Sequence, residues 1–366
     1  MPSVGDRIRQ ARLAHGWSLR ELASRAAPLS ATAISRYEND QDVPGSEILL
    51  RLAMAFEVKF EYFFRPVTVQ LATIEHRKRS SFPEKQKTAI EHGAIEELER
   101  YLAAEDLFGP EAFPQFSHPQ ACDVPITRVE GAEEAARCLR EEWLGDDPID
   151  GLCEVLEDRG VKVMVVVAAR GYDGFAGWAR RNGGRVPIIG VRRDPEFGDR
   201  QRLSMAHELG HLLLSFGEDT DHRSREKAAF RFGAAFLVPE SAVRRQFPNP
   251  VPHLSLQVLY SLKHKWGFSM AAWARRLLDL DIITRNTYER FCMKFKATKG
   301  PTGETWWDRE PGESQVKPEV PRRFHRLVEQ AVAQDIISTG RAADLLGKPL
   351  IEVRREMKWP QEAEAL

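Results

Sequence analysis

The chain has 366 residues, enough for two or three domains, and its 42% hydrophobic and 29% charged residues lead us to expect a soluble protein with real cores. A formal net charge of −1 gives no overall argument for nucleic acid, so only a local patch could carry one. No apolar run nears the roughly 18 residues that span a bilayer, the first residues carry no secretory pattern, and the four scattered cysteines (Cys122, Cys138, Cys153, Cys292) read as free thiols in a reducing cytoplasm.

Residues 1–66 read as an all-helical module of five short helices. Ile8, Leu13 and Trp17 line a first stripe; Ser18 caps a second helix, with Glu21 completing a capping box; Ser30 caps a third helix from Ala31 to about Asn39; Ser46 caps a fourth; Phe60 to Phe64 closes the bundle. The module resembles the lambda-repressor-like (XRE) helix-turn-helix family. The resemblance rests on Trp17-Ser18-Leu19-Arg20-Glu21-Leu22-Ala23, Ile34-Ser35-Arg36-Tyr37-Glu38-Asn39 and Leu49-Leu50-Arg51-Leu52-Ala53. It implies that the third helix enters the DNA major groove, with Ala31, Thr32, Ser35 and Arg36 facing DNA. Two departures stand against it: Leu19 replaces the glutamine that often opens the second helix, and the turn lacks its glycine. The near-balanced charge of the module, nine Lys/Arg against eight Asp/Glu, leaves protein binding or dimerisation as the competing use.

Residues 67–130 read as a helical connector. Arg77-Lys78-Arg79 is the densest basic run, expected as a solvated face rather than a phosphate contact. A long helix is predicted from Pro83 to about Leu107, with Glu96-Glu97 and Glu99-Arg100 outside, and Phe108 to Val124 reads as linker.

Residues 131–247 carry the chemistry. An amphipathic helix over 131–144 precedes three predicted strands: 161–167, 174–179 and 185–191, the last two joined at Asn182-Gly183-Gly184. Such a sheet can offer an edge to an extended peptide. Then comes Met205-Ala206-His207-Glu208-Leu209-Gly210-His211. On a helix, the spacing of four places both imidazoles on one face, which suits two nitrogen ligands of one Zn²⁺, while Glu208 can reach an attacking water without binding the metal. A third ligand is open among Glu218, Asp219, Asp221, His222, Glu226 and Glu240. Glu226 opens a predicted helix to Pro239 whose small residues permit close packing on the first. His222 reads as a solvated loop residue, with a transition-state donor as the alternative.

Arg202 through His211, followed by Glu226, Ala229, Phe232 and Phe236-Leu237-Val238-Pro239, resembles the ImmA/IrrE family of metallo-endopeptidases, and Trp266 to Leu277 matches that family's later helix. The resemblance implies a zincin-like fold, His207, His211 and Glu226 as zinc ligands and Glu208 as general base. Gly233 stands where the family often has Ala, and Phe230 where it commonly has Asn. Residues 248–311 read as a helical extension of the peptidase, and 312–366 as a small helical unit in which Ser338 to Arg354 is reminiscent of a second helix-turn-helix.

The expected fold class is mainly α with a small β-sheet (α+β): a helix-turn-helix domain, a zincin-like peptidase domain over 131–247 and a helical C-terminal part. The expected function is a cytoplasmic regulatory zinc endopeptidase that makes a limited cut in a helix-turn-helix repressor, as a switch for stress, mobile-element or defence genes. The alternative is a DNA-binding regulator or antitoxin-like protein with a structural or inactive zinc site. Expected partners are a protein substrate and DNA through residues 1–66, with a homodimer left open and no membrane.

Overall fold

The computed structural model describes residues 3–78, 82–109, 112–122, 125–169, 171–193, 197–217 and 219–357, with the backbone alone for 73–78 and 121. The side chains of the Arg77-Lys78-Arg79 run and the candidate ligand Glu218 therefore lie outside the described residues.

The N-terminal module folds as α1 (Val4–Ala14), α2 (Leu19–Arg25), α3 (Ala31–Glu38), α4 (Ser46–Phe56) and a 3₁₀ turn over Phe60–Phe64. Local chemistry sets the starts. Ser3, Ser18 and Ser30 each accept a bond from the backbone three residues on, and Asp6 and Glu21 complete capping boxes. The fourth start differs from expectation: Gly45 is the N-cap and Ser46 is already helical. Ile8, Leu22, Ile34, Leu52 and Phe56 form the core of this bundle.

After it comes a strand, β1 (Gln70–Lys78), where only a helical connector was expected. Alternation is weak in this segment, so the sequence carries little strand signal, and β1 is specified mainly by its partner. It pairs antiparallel with β3 (Tyr172–Arg181), which pairs antiparallel with β4 (Gly184–Arg192), which pairs parallel with β2 (Lys162–Val166). The order is β1-β3-β4-β2. β3 and β4 form a hairpin through Asn182 and Gly183, both at positive φ as a two-residue turn of the favoured hand requires. Because β1 lines the outer side of β3, the expected peptide-binding edge on 161–191 is reduced to β2.

The long helix α5 (Glu84–Glu105) is a strut between units. Ile90, Ala94, Leu98 and Leu102 pack on the sheet. Tyr101 and Ala104 pack on the C-terminal helices. Glu99 pairs with buried Arg7 at 2.6 Å, and Glu96 accepts a hydrogen bond from the Tyr62 hydroxyl. These acidic residues dock the N-terminal bundle instead of facing solvent as predicted.

On the other face of the sheet lies α8 (Gly198–Leu213), whose Met205, Ala206, Leu209 and Leu212 share one core with Ala176, Ile189 and Val191. Around it pack α6 (Gly131–Trp143), α7 (Leu152–Asp158), α9 (His222–Leu237), α10 (Glu240–Gln246), α11 (Leu256–Trp266), α12 (Met270–Asp279) and α13 (Arg285–Ala297). Glu133 of α6 ties two of them together, accepting from Arg276 at 2.6 Å and from Arg231 at 2.9 Å. An arm then runs back along α8, where the Gln201 amide and the Glu319 backbone exchange two hydrogen bonds. The chain closes with α14 (Arg323–Ala333), α15 (Thr339–Leu346) and α16 (Leu350–Glu356). Gly347 turns α15 into α16 at positive φ, and Val328, Ala342, Leu345 and Val353 hold the three helices together. Among the described residues no helix is long and apolar enough to cross a membrane.

One buried group at this junction makes stability pH-dependent. Glu157 of α7 is 2% exposed. Burial pushes its carboxyl from the ordinary 4.5 up to about 7, only partly opposed by the amide and charge of Arg323. The folded state thus holds the proton more tightly, so stability falls as pH rises from about 4.5 to about 7, by about 3 kcal/mol from this group. Glu157→Gln should stabilise the protein by up to that amount at pH 8 and by nothing at pH 4. Chemical denaturation at the two pH values checks this; an equal effect at both would show that Glu157 titrates as an ordinary carboxylate.

Candidate metal centre

Two helices and one strand build the site. His207 and His211 project from one face of α8, as their spacing of four dictates, and their Nε2 atoms approach to 3.0 Å. α9 crosses α8 and brings Glu226 to both: its Oε1 lies 3.1 Å from His211 Nε2 and its Oε2 3.5 Å from His207 Nε2. One donor atom from each residue falls within 4.8 Å of the other two. Burial alone would raise the Glu226 carboxyl, but hydrogen bonds and charge from the two imidazoles outweigh it and hold the group well below the usual carboxylate range. Glu226 is therefore anionic across the neutral range.

The helices approach this closely because glycine stands at both crossing points. A Cβ on Gly210 would lie 3.1 Å from Ala229 Cα, and a Cβ on Gly233 would lie 2.9 Å from the His207 backbone nitrogen. Ala at 233 would push α9 away from the residue that carries the first histidine. Gly233→Ala is expected to destabilise the fold by about 1–3 kcal/mol and to weaken metal binding with it. Thermal unfolding and a zinc titration check this, and unchanged values in both would mean the close approach is not needed.

Glu208 is fully buried and points from α8 toward the sheet. It lies under Gly174 of β3, where a Cβ would come 3.2 Å from Glu208 Oε1 and 2.7 Å from the Gly190 carbonyl oxygen. Its charge adds to the burial that raises the Tyr172 hydroxyl, so Tyr172 stays protonated at neutral pH. Phe230, one turn beyond Glu226 on α9, sets its ring 4.2 Å from the His207 ring, centroid to centroid. Phe230 is half-exposed at the mouth of the cluster. Gly174, Tyr172 and Phe230 were not singled out as site residues from sequence. A glycine inside a strand is a signal of close backbone approach; Phe230 showed only as an unusual residue.

His222 is the first residue of α9, not a loop residue, because Asp221 caps the helix through Ser224. It is exposed, one turn before Glu226 on the same face. Of the other candidate ligands, Asp219 and Asp221 are exposed, and Glu240 opens α10 and pairs with Arg244. In the N-terminal bundle, Thr32 and Arg36 are exposed on α3 while Ala31 and Ser35 are half-buried. Arg36 lies 3.6 Å from Asp42.

A peptidase-family model, described as an IrrE N-terminal-like domain, matches residues 157–278, from the end of α7 into α12. A helix-turn-helix family model matches residues 8–63. A helix-turn-helix domain and an IrrE-like domain share this chain. The IrrE-like domain spans the three donors and Glu208, but leaves out β1 and α5. A protein of Pyrococcus abyssi (strain GE5 / Orsay), named for an HTH-type transcriptional regulatory role, is 34% identical over 96 residues. The match covers 26% of this chain and 28% of that relative's length.

The donor set of the IrrE-like domain fits zinc on chemical grounds. Two imidazole nitrogens and one carboxylate oxygen converge from two packed helices, the donor types of zinc sites that keep a position open for water or substrate. Glu226 remains 27% exposed at its side chain, so the cluster is reachable from solvent.

Proposed function

We propose that the chain is a regulatory zinc-dependent endopeptidase that makes a limited cut in a helix-turn-helix repressor. The observation that carries this reading is the convergence of His207, His211 and Glu226 beside fully buried Glu208. His207, His211 and Glu226 hold the metal. A zinc ion there supplies Lewis acidity toward a peptide carbonyl. Glu208 takes a proton from the attacking water and returns it to the leaving amine. Gly174 leaves room for that carboxylate, and the wall of β3 keeps it oriented. His222 is a candidate donor to the developing oxyanion. Three donors and a solvent-facing side favour a catalytic over a structural site, since structural zinc is closed by four protein ligands.

The helix-turn-helix domain on the same chain supports a regulatory protein as the substrate. The full chain, loaded with zinc, is expected to cut a helix-turn-helix repressor, sought first among the products of neighbouring genes, at one bond mapped by mass spectrometry, and a chelator should stop the reaction. Intact repressor after prolonged incubation with zinc would count against this reading.

A second reading has its own observation. Thr32 and Arg36 stand exposed on α3, and the Pyrococcus relative is named as a transcriptional regulator. We infer that DNA contact runs through Ala31, Thr32, Ser35 and Arg36. Arg36→Ala should weaken operator binding while leaving zinc content unchanged; binding unaltered at physiological salt would remove α3 as the reading helix.

A further inference from the structure

The edge of the sheet that adjoins the metal centre is already occupied by the chain itself. Gly174 of β3 lies over Glu208, where a Cβ would come 3.2 Å from Oε1. A peptide paired directly with β3 would pass about 5 Å from Gly174, the spacing of neighbouring strands. The two outer edges of the sheet are farther off. A peptide added outside β1 would lie two spacings from β3, about 10 Å, and one added outside β2 three, about 14 Å.

β1 holds the near position. It runs antiparallel to β3, and Thr73 to Arg77 pair in unbroken register with Trp178 to Gly174, so Arg77 stands opposite Gly174. The register shifts at both ends of this run, between Leu71 and Thr73 and between Arg77 and Lys78. Such irregularities disrupt a ladder locally. The continuous ladder beside Glu208 is therefore five pairs long.

β1 also lies outside both matched domains. The helix-turn-helix match ends at residue 63 and the IrrE-like match begins at 157. The lead into the strand is held by the contacts that dock the N-terminal bundle on α5. Arg7 of α1 donates through Nε to the Arg65 carbonyl at 2.9 Å and pairs with Glu99 at 2.6 Å. Glu99 Oε1 in turn accepts from the Thr68 backbone nitrogen at 3.0 Å. Val69 and Leu71 seat the start of β1 in the sheet core, at the end away from Gly174.

We propose that β1 is an internal blocking strand. It covers the edge of β3 on which an extended substrate chain must lie to bring its peptide bond to Glu208 and the metal, and this rests on the endopeptidase reading above. Undocking of the helix-turn-helix bundle breaks the contacts of Arg7 and Glu99 and frees the lead into β1. The strand then gives up β3 to the substrate, which pairs in its place. The bundle thereby controls access to the metal centre without touching it.

The test uses the full zinc-loaded chain and reads peptide binding before cleavage. The probe is a fluorescein-labelled peptide of residues 70–78, followed by fluorescence anisotropy. In the variant Ile74→Pro with Glu75→Pro, two adjacent positions lose their ladder donors, so one of the losses faces β3 whichever way the strand hangs. This variant should bind the peptide saturably. The wild type should bind it at least about tenfold more weakly, because a tethered strand competes at an effective concentration on the order of millimolar. A second variant does not depend on how the prolines fold. Glu75→Cys with Ala176→Cys joins two register partners. The oxidised, locked chain should cut repressor at least about tenfold more slowly than the same chain after reduction with a phosphine. Equal peptide binding by the wild type and the proline variant, no saturable binding by that variant, or a locked chain that cuts as fast as the reduced one overturns the proposal. A chain that cuts nothing in any form would remove the endopeptidase reading, and the anisotropy comparison still decides whether β1 can be displaced.

Discussion

Replacing Glu208 with Gln is expected to leave zinc binding intact and to lower hydrolysis by about 10²–10⁴-fold, the usual contribution of a positioned general base. The side chain is fully buried and stands outside the group of three converging donors. Glutamine matches its shape, so the packing beneath Gly174 survives, but the amide cannot accept a proton at neutral pH. Parallel measurement of zinc stoichiometry and of repressor cleavage separates the two effects. Cleavage at the wild-type rate would remove Glu208 from the chemistry, and loss of zinc would place it among the ligands.

Glu226→Ala should have the opposite pattern, with zinc affinity falling by at least about 100-fold, since even groups that only support a ligand cost 10–100-fold. Glu226 is the anionic member of the cluster and the one supplied by α9, so without it two histidines on a single helix remain. Alanine is a good helix former, and α9 keeps its packing through Ala229, Phe232 and Phe236. Competition against a chromophoric chelator reads the affinity directly. Zinc held as tightly by the variant as by the wild type would mean that another residue completes the site.

Much of this site is legible in the sequence because it is local. The spacing of His207 and His211 is a helical repeat, Ser18 with Glu21 is a capping box, and Asn182-Gly183 is a hairpin turn; each depends on residues a few positions apart. By spacing alone Glu226 is one of several open third ligands, and the family resemblance singles it out; its approach depends on Gly210 and Gly233, each facing the other's helix across the crossing. What escaped was long-range. β1 has no strand signature of its own and is specified by the exposed side of β3. Glu96 and Glu99 carry the pattern of a solvated helix face, yet Arg7 and Tyr62, some ninety and thirty positions away, turn that face into a docking surface. The polar run before Glu226 looked like loop because Asp221 is as much a turn residue as a helix cap, and only the Ser224 backbone decides between them.

The most direct test of the central claim is the X-ray absorption spectrum of the zinc-loaded full chain at the zinc edge. The account predicts a first shell of nitrogen and oxygen at about 2.0–2.1 Å, with the outer scattering of two imidazoles. A sulfur shell at about 2.3 Å, from cysteines such as the half-buried Cys138 or Cys292, or a spectrum without imidazole scattering, would contradict it.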